Sequence, residues 1–381
     1  MTRYLMSLIL STLMTVATAG NRSAADFVRN LHSAPGKKLT VDLRCGGDVL
    51  ITGAAGDEVN VKVRLTGPDG DDIDVTAEET SSGVDIRAEY DGDRRHYNGS
   101  ADVEVTVPSR YDVEVETMGG QVTIKEVDGR FSGRTMGGEI TLSNLKGNVD
   151  LTTMGGEIEV SNSDLDGEVK TMGGDVVLRN VSGNVQGSTM GGDVLQEGSR
   201  PSSPGSSSSG AGEKRIHSMG GDLNVDTAPN GASLETMGGD VHVGSASDHV
   251  KVKTMGGDIQ IDAVDGWADL TTMGGDVTMR MTGDPSRGKR DVEISSMGGD
   301  IELTLPEGIS ATFDLETEYT RDGFRAPKIV SDFPVQVSES SDCEYHHDAP
   351  CKVLTGTGKT GSGANRIKIH TIQGDIIIKK S

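Results

Sequence analysis

Apolar and polar positions alternate in short runs along most of this chain. In VKTMGGDVVLRNVSGNVQ, residues 169–186, Val169 and Thr171 share one parity, as do Val176 and Leu178, while Lys170, Asp175, Val177 and Arg179 fall on the other. That period of two predicts two short strands bracketing a Gly-Gly corner. A second corner is predicted around Asn180 to Asn184, where Asn and Gly tolerate the left-handed backbone of sharp turns. One unit therefore reads strand, corner, strand, corner.

The unit recurs. Met-Gly-Gly begins at Met118, Met136, Met154, Met172, Met190, Met219, Met237, Met255, Met273 and Met297, in steps of 18 broken once by 29 and once by 24. Fixed self-similarity near this period marks an array in which each unit buries its apolar face against its neighbours. Eighteen residues are too few for a four-stranded blade and fit one rung of a parallel β-solenoid with two strands per rung. The predicted fold is all-β, with atypical capping rungs at both ends. RCGGDV at 44–49 reads as a degenerate first copy with Cys45 in the Met place, and TIQGDI at 371–376 as a last copy with Ile372 there. The longer steps carry RPSSPGSSSSGAG and GDPSRG, both of which lengthen the second corner. The expected organisation is a signal peptide over 1–19, a linker over 20–36, an N-terminal cap over 37–110, regular repeats over 111–305 with a flexible Ser/Gly loop at 198–213, and a C-terminal cap over 306–381.

The signal peptide follows from Arg3, an apolar run from Tyr4 to Val16, and Ala17-Thr18-Ala19, a small-x-small cleavage site. No later stretch is apolar for long enough to span a bilayer as a helix. The expected location is therefore exported: periplasm, cell surface or secreted. A formal charge of -23 argues against a nucleic-acid partner. Aromatic residues make up 3% of the chain, so stacking platforms for sugars or bases are scarce, and Trp267 reads as a packed surface residue. Cys343 and Cys351 are expected to form a disulfide in an exported chain, with a Cys/His metal loop through Glu344, His346, His347 and Asp348 as the alternative.

Three columns run through the repeat. Thr or Ser precedes every Met (Thr117, Thr135, Thr153, Thr171, Thr189, Ser218, Thr236, Thr254, Thr272, Ser296) and should face inward, passing hydrogen bonds along a stack of hydroxyls. No base recurs beside them, so they are not expected to be nucleophiles. After Gly-Gly come Gln121, Glu139 and Glu157, then Asp175, Asp193, Asp222, Asp240, Asp258, Asp276 and Asp300. These acids read first as caps on nearby backbone N–H groups and second as a calcium column. The Met column, Met118 through Met190 and onward, reads as a corner residue at least half buried. Its alternatives are an exposed partner-binding edge and thioether sites for copper(I).

Repeated T-x-x-G-[DE]-[IV]-x-[IVL] blocks behind a signal peptide, closing on GTGKTGSGANRIKIHTIQGDIIIKK, resemble the bacterial "putative adhesin" family of unknown function with β-strand repeats. The resemblance covers roughly residues 37–381. It implies a parallel β-solenoid in or outside the cell envelope, brings no catalytic residues, and departs in the uniform Met-Gly-Gly corners and the Ser/Gly loop. The expectation is a non-enzymatic structural or adhesive protein with no cofactor and an unidentified envelope or surface partner, protein or polysaccharide. A carbohydrate-active β-helix enzyme and a cation-binding envelope scaffold are the alternatives. The enzyme would need a converging cluster of acids and bases outside the repeat.

Overall fold

A computed structural model describes residues 26–381 apart from 91–96, 199–211, 321–325 and 341–350, and nearly every alternating run among them is a strand. The signal segment, most of the Ser/Gly loop, and Cys343 with the neighbouring histidines lie outside the described residues. Among the described residues the strands form one sheet of 31, and one helical turn lies at Gly70–Asp72.

Two parallel ladders carry the repeat. In the first, Asp112–Thr117, Asp128–Thr135, Lys146–Thr153, Asp164–Thr171, Val185–Thr189 and Lys214–Ser218 pair in order, so that Thr117, Thr135, Thr153, Thr171, Thr189 and Ser218 lie side by side. In the second, Val122–Lys125, Ile140–Ser143, Ile158–Ser161, Val176–Arg179, Val194–Glu197 and Leu223–Ala228 pair the same way. Each period thus adds one strand to each ladder. The core lies between them: Phe131, Val149, Leu151 and Val169 from the first ladder, and Ile124, Ile140, Leu142 and Val160 from the second, are fully buried. A repeat cannot bury such residues alone, so stability comes from stacking.

The second corner takes two forms. Glu126, Asn144, Asn162 and Asn180, one period apart, all adopt left-handed backbone with φ of 50–60°. Three of the four are Asn, the side chain that tolerates this region best after Gly. Further along, Val241–Lys253 and Ile259–Thr272 run through the same position as unbroken strands of 13 and 14 residues. Both insertions fall at this corner: residues 282–291 join Val277–Met281 to Val292–Ser296, and the Ser/Gly segment joins Val194–Glu197 to Lys214–Ser218.

The ends correct the expectation of a single parallel array, because the sheet is mixed. Asp26–His32, Glu58–Thr66 and Ser100–Pro108 pair antiparallel, as do Ile73–Glu79 with Gly83–Tyr90. Beyond the repeats, Ala311–Thr320, Cys351–Lys359 and Val335–Ser340 do likewise. Moreover, the first and last copies are inserted rather than stacked at the ends. Lys38–Leu43 lies between Gly83–Tyr90 and Asp112–Thr117, and Val49–Ala54 between Ser100–Pro108 and Val122–Lys125. Asn365–Ile372 lies between Val292–Ser296 and Ala311–Thr320, and Ile376–Lys380 between Ile301–Leu305 and Ile329–Ser331.

The register also corrects the first copy. Leu43 pairs with Thr117 and Val49 with Val122, so this corner holds one residue more than the others. Arg44 and Cys45 together stand where the other corners hold a single Met.

Candidate functional site: the stacked corners

Each Thr-Met-Gly-Gly-Asp corner is braced against the one before it. Thr171 Oγ1 accepts from the N–H of Gly174 in its own corner (3.1 Å) and donates to the carbonyl of Gly156 in the previous one (2.8 Å). Thr153, Thr189, Ser218, Thr236, Thr254, Thr272 and Ser296 repeat the pair of bonds, and Thr371 donates to Gly299 O (2.8 Å). All these residues are buried, as inward-facing positions should be. The hydroxyls do not form the expected relay with one another. Each instead bridges two glycine backbones, satisfying a donor and an acceptor that the tight turn would otherwise bury unpaired.

The two glycines differ. A Cβ on the second one would collide with the carbonyl oxygen of its counterpart in the preceding corner, at 2.1 Å for Gly156 against Gly138 and 2.3 Å for Gly174 against Gly156. The stack needs Gly there for close approach. A Cβ on the first would meet nothing within 4 Å at Gly119 or Gly137, and only an atom 3.9 Å away at Gly155.

The Asp column caps the next rung. Asp175 Oδ1 accepts from Asp193 N–H (2.9 Å), Asp193 from Asp222 (2.8 Å), Asp222 from Asp240 (2.8 Å), Asp240 from Asp258 (2.8 Å), Asp258 from Asp276 (2.7 Å), Asp276 from Asp300 (2.7 Å) and Asp300 from Asp375 (2.7 Å). One oxygen of each is therefore committed to backbone, and charge-assisted bonds of this kind offset repulsion along an exposed column. Between Gln121 and Glu139, one carbon longer, the bond along the column runs from side chain to side chain, Gln121 Nε2 donating to Glu139 Oε1 (3.5 Å). As the site for a calcium ion, the column offers no three ligand atoms drawn together among the described residues.

The ten corner Met residues are 41% (Met219) to 59% (Met118) exposed, whereas Met279 and Met281 on a strand are buried. The row lies between the two expectations, each side chain about half exposed. Ile372, in the same place of the inserted last copy, is buried.

Elsewhere, Glu316, Glu318 and His370 bring ligand atoms within 4.8 Å of one another, with His370 Nε2 3.7 Å from Glu316 Oε1. Sequence reasoning missed this group. Glu316 and Glu318 alternate on one strand, but only the inserted strand Asn365–Ile372 sets His370 opposite Glu316. Trp267 is engaged by the chain itself, stacking with the His249 ring at 4.9 Å and holding Lys289 Nζ 5.0 Å from its ring centre. Buried Arg290 holds the GDPSRG loop: Nη1 donates to Thr282 O (2.7 Å), Nε to Asp284 O (2.9 Å) and Nη2 to Asp265 Oδ1 (2.6 Å). An open groove of about 870 Å³ over the first ladder is lined by Arg130, Asp150, Asp166 and Glu168 among others, with no His, Lys or Cys among the described residues that line it. Cys45 is a free thiol whose pKa burial pushes up, and Cys351 is disulfide-bonded. Among the described residues no helix is long and apolar enough to cross a membrane.

These features define an all-β repeat protein with a continuous braced edge. Residues 211–379 match the family described as Toastrack DUF4097. No curated protein matches the chain. Among solved structures it is similar to a "putative adhesin" from Parabacteroides distasonis ATCC 8503, at 12% identity over 74% of this chain and 97% of that one, with a TM-score of 0.38. A "putative lipid binding protein" from the same organism matches at 13% identity over 74% and 98%, with a TM-score of 0.29. A "putative cell adhesion protein" from Clostridium sporogenes ATCC 15579 matches at 10% over 94% and 100%, with a TM-score of 0.23. Likenesses this distant carry nothing about activity or partner.

Proposed function

We propose that this chain is a non-enzymatic, exported interaction scaffold of adhesin type. Its two ladders are read as the faces of a parallel β-solenoid with 18 residues per rung, and its corners as one linear contact edge. The observation that carries this reading is the Met row: ten half-exposed apolar side chains in register along one edge. Contiguous exposed apolar surface on a protein of this charge marks a contact site. The enzyme alternative asks for converging acids and bases in a groove: the groove over the first ladder offers acids with a single Arg, and in the converging group Glu316, Glu318 and His370 the Glu318 side chain is buried. Two of the groove's acids are committed to folding or to charge: Asp166 Oδ1 accepts from Asn184 N–H (2.8 Å), and Glu168 pairs with Lys170 (2.8 Å).

The test compares intact protein with a Met136→Ser, Met154→Ser, Met172→Ser variant as bait in cell-envelope extract. Because the Thr braces and glycines are untouched, the variant should melt like the parent while losing its captured partner. Identical capture by both proteins would reject the edge as the contact surface.

A further inference from the structure

The corner row carries a chemistry that an apolar edge alone does not require. The Met place holds Met in all ten copies where the side chain stands half open to solvent, and Ile372 in the copy where it is buried. The two glycines that follow are equally uniform and the preceding place is Thr or Ser throughout, but the columns beyond the corner vary: the place after Gly-Gly passes from Gln121 through Glu139 and Glu157 to Asp, and the place two residues further on runs Val177, Leu195, Asn224, His242, Gln260, Thr278. An apolar corner would be served by Leu or Ile. Sulfur is what the open positions share.

Their geometry suits a shared ligand. Met136 N–H donates to Thr117 O, Met154 to Thr135 O, Met172 to Thr153 O (each 3.2 Å) and Met219 to Thr189 O (3.3 Å). Successive Met backbones are thereby held one strand spacing apart, about 4.8 Å. Three rotatable bonds let adjacent thioethers converge. The first glycine beside each Met carries no side chain, and a Cβ there would stand in open space at Gly119 and Gly137. The chain's charge of -23, with the Asp row three residues along each corner, raises the local concentration of cations. Thioethers are neutral and soft, so they select copper(I) and its congener silver(I) over calcium, magnesium and zinc.

We infer that the Met row is a chain of thioether sites for a soft monovalent metal ion, each ion held by about three successive corners. This does not rest on the partner reading, since it depends on sulfur rather than on apolar surface.

The experiment titrates the full chain, in a Cys45→Ser background that removes the free thiol, with Ag⁺ and with Cu(I) under reductant. A chromophoric chelator reports stoichiometry, and Met methyl NMR reports position. The expected result is about three ions per chain, with shifts at the ten corner methyls, none at Met279 or Met281, and no displacement by excess Ca²⁺ or Zn²⁺. A Met136→Leu, Met154→Leu, Met172→Leu variant should lose about one ion while its melting curve and its partner capture stay unchanged, because Leu keeps the edge apolar. Absence of uptake below millimolar Ag⁺, full uptake by the Leu variant, or displacement by Ca²⁺ or Zn²⁺ would each overturn the inference. Loss of capture in the Ser variant alone would leave the partner reading standing by itself.

Discussion

The two glycines of a corner look equivalent in the repeat and have different reasons to be glycine. Gly156 faces the Gly138 carbonyl at a separation no Cβ tolerates, whereas a Cβ on Gly155 would make only ordinary contact, 3.9 Å from Gly137 Cα. Gly156→Ala should therefore destabilise by at least ~2 kcal/mol, since the collision is with backbone and neither rung yields without breaking the Thr brace. Gly155→Ala should change stability by less than ~1 kcal/mol. Urea unfolding of the two variants against the parent checks both, and equal losses would contradict the stacking account. One clue to the difference was already legible: TIQGDI keeps only the second glycine and puts Gln373 in the first place. The inward Thr was legible too, from parity alone. Its bonding was not, because alternation says which way a side chain points and not that its nearest acceptor is a glycine carbonyl in another rung.

At the level of single elements, the second corner is where the repeats differ and where local charges work. His249, on the long strand Val241–Lys253, stacks on Trp267 and hydrogen-bonds Glu213 (2.9 Å) and Asp248 (3.0 Å). Burial pulls its pKa down, but the two carboxylates outweigh burial and leave it raised. Glu213 is held below the ordinary carboxylate range by the His249 hydrogen bond, against the opposing effect of its own burial. A raised imidazole stabilises fully below its unfolded value and loses that contribution as pH rises through the folded one; a depressed carboxylate stabilises above its unfolded value and loses it as pH falls through the folded one. The pair thus contributes most between about pH 4.3 and pH 6.5. The melting temperature of the parent minus that of a His249→Gln variant should be largest near pH 5.5 and shrink toward pH 8. A difference flat across that range would show that the imidazolium pairing adds nothing. None of this was readable beforehand, because His249 and Glu213 are 36 residues apart and meet only across the insertion. That both insertions interrupt the second corner was readable, since each follows a post-corner strand and precedes the next Ser-Met-Gly-Gly.

For the molecule as a whole, the period is the design variable. Excising residues 154–171 removes one strand from each ladder and restores Thr153 to the neighbourhood of Met172, so the shortened chain should fold with a modestly lower melting temperature. Excising only 154–162 would feed a pre-corner strand into the post-corner ladder, and cooperative unfolding should vanish; calorimetry distinguishes the two. The repeat spacing made the two ladders legible. The arrangement of the ends was not, because Asp300 caps Asp375 across 75 residues of sequence that contain an antiparallel excursion. That arrangement governs the order of assembly. A strand at the free edge of a ladder can zip on or peel off alone, one row of hydrogen bonds at a time. Residues 365–380, gripped along both backbone edges, must enter a slot whose outer wall, Ala311–Thr320 and Ile329–Ser331, is made of chain that precedes them. Growth from one end cannot complete this part of the sheet. The wall has to stand aside until the later segment arrives and then close over it, which makes docking of that segment the committing event for this end and its release a concerted rupture of two rows.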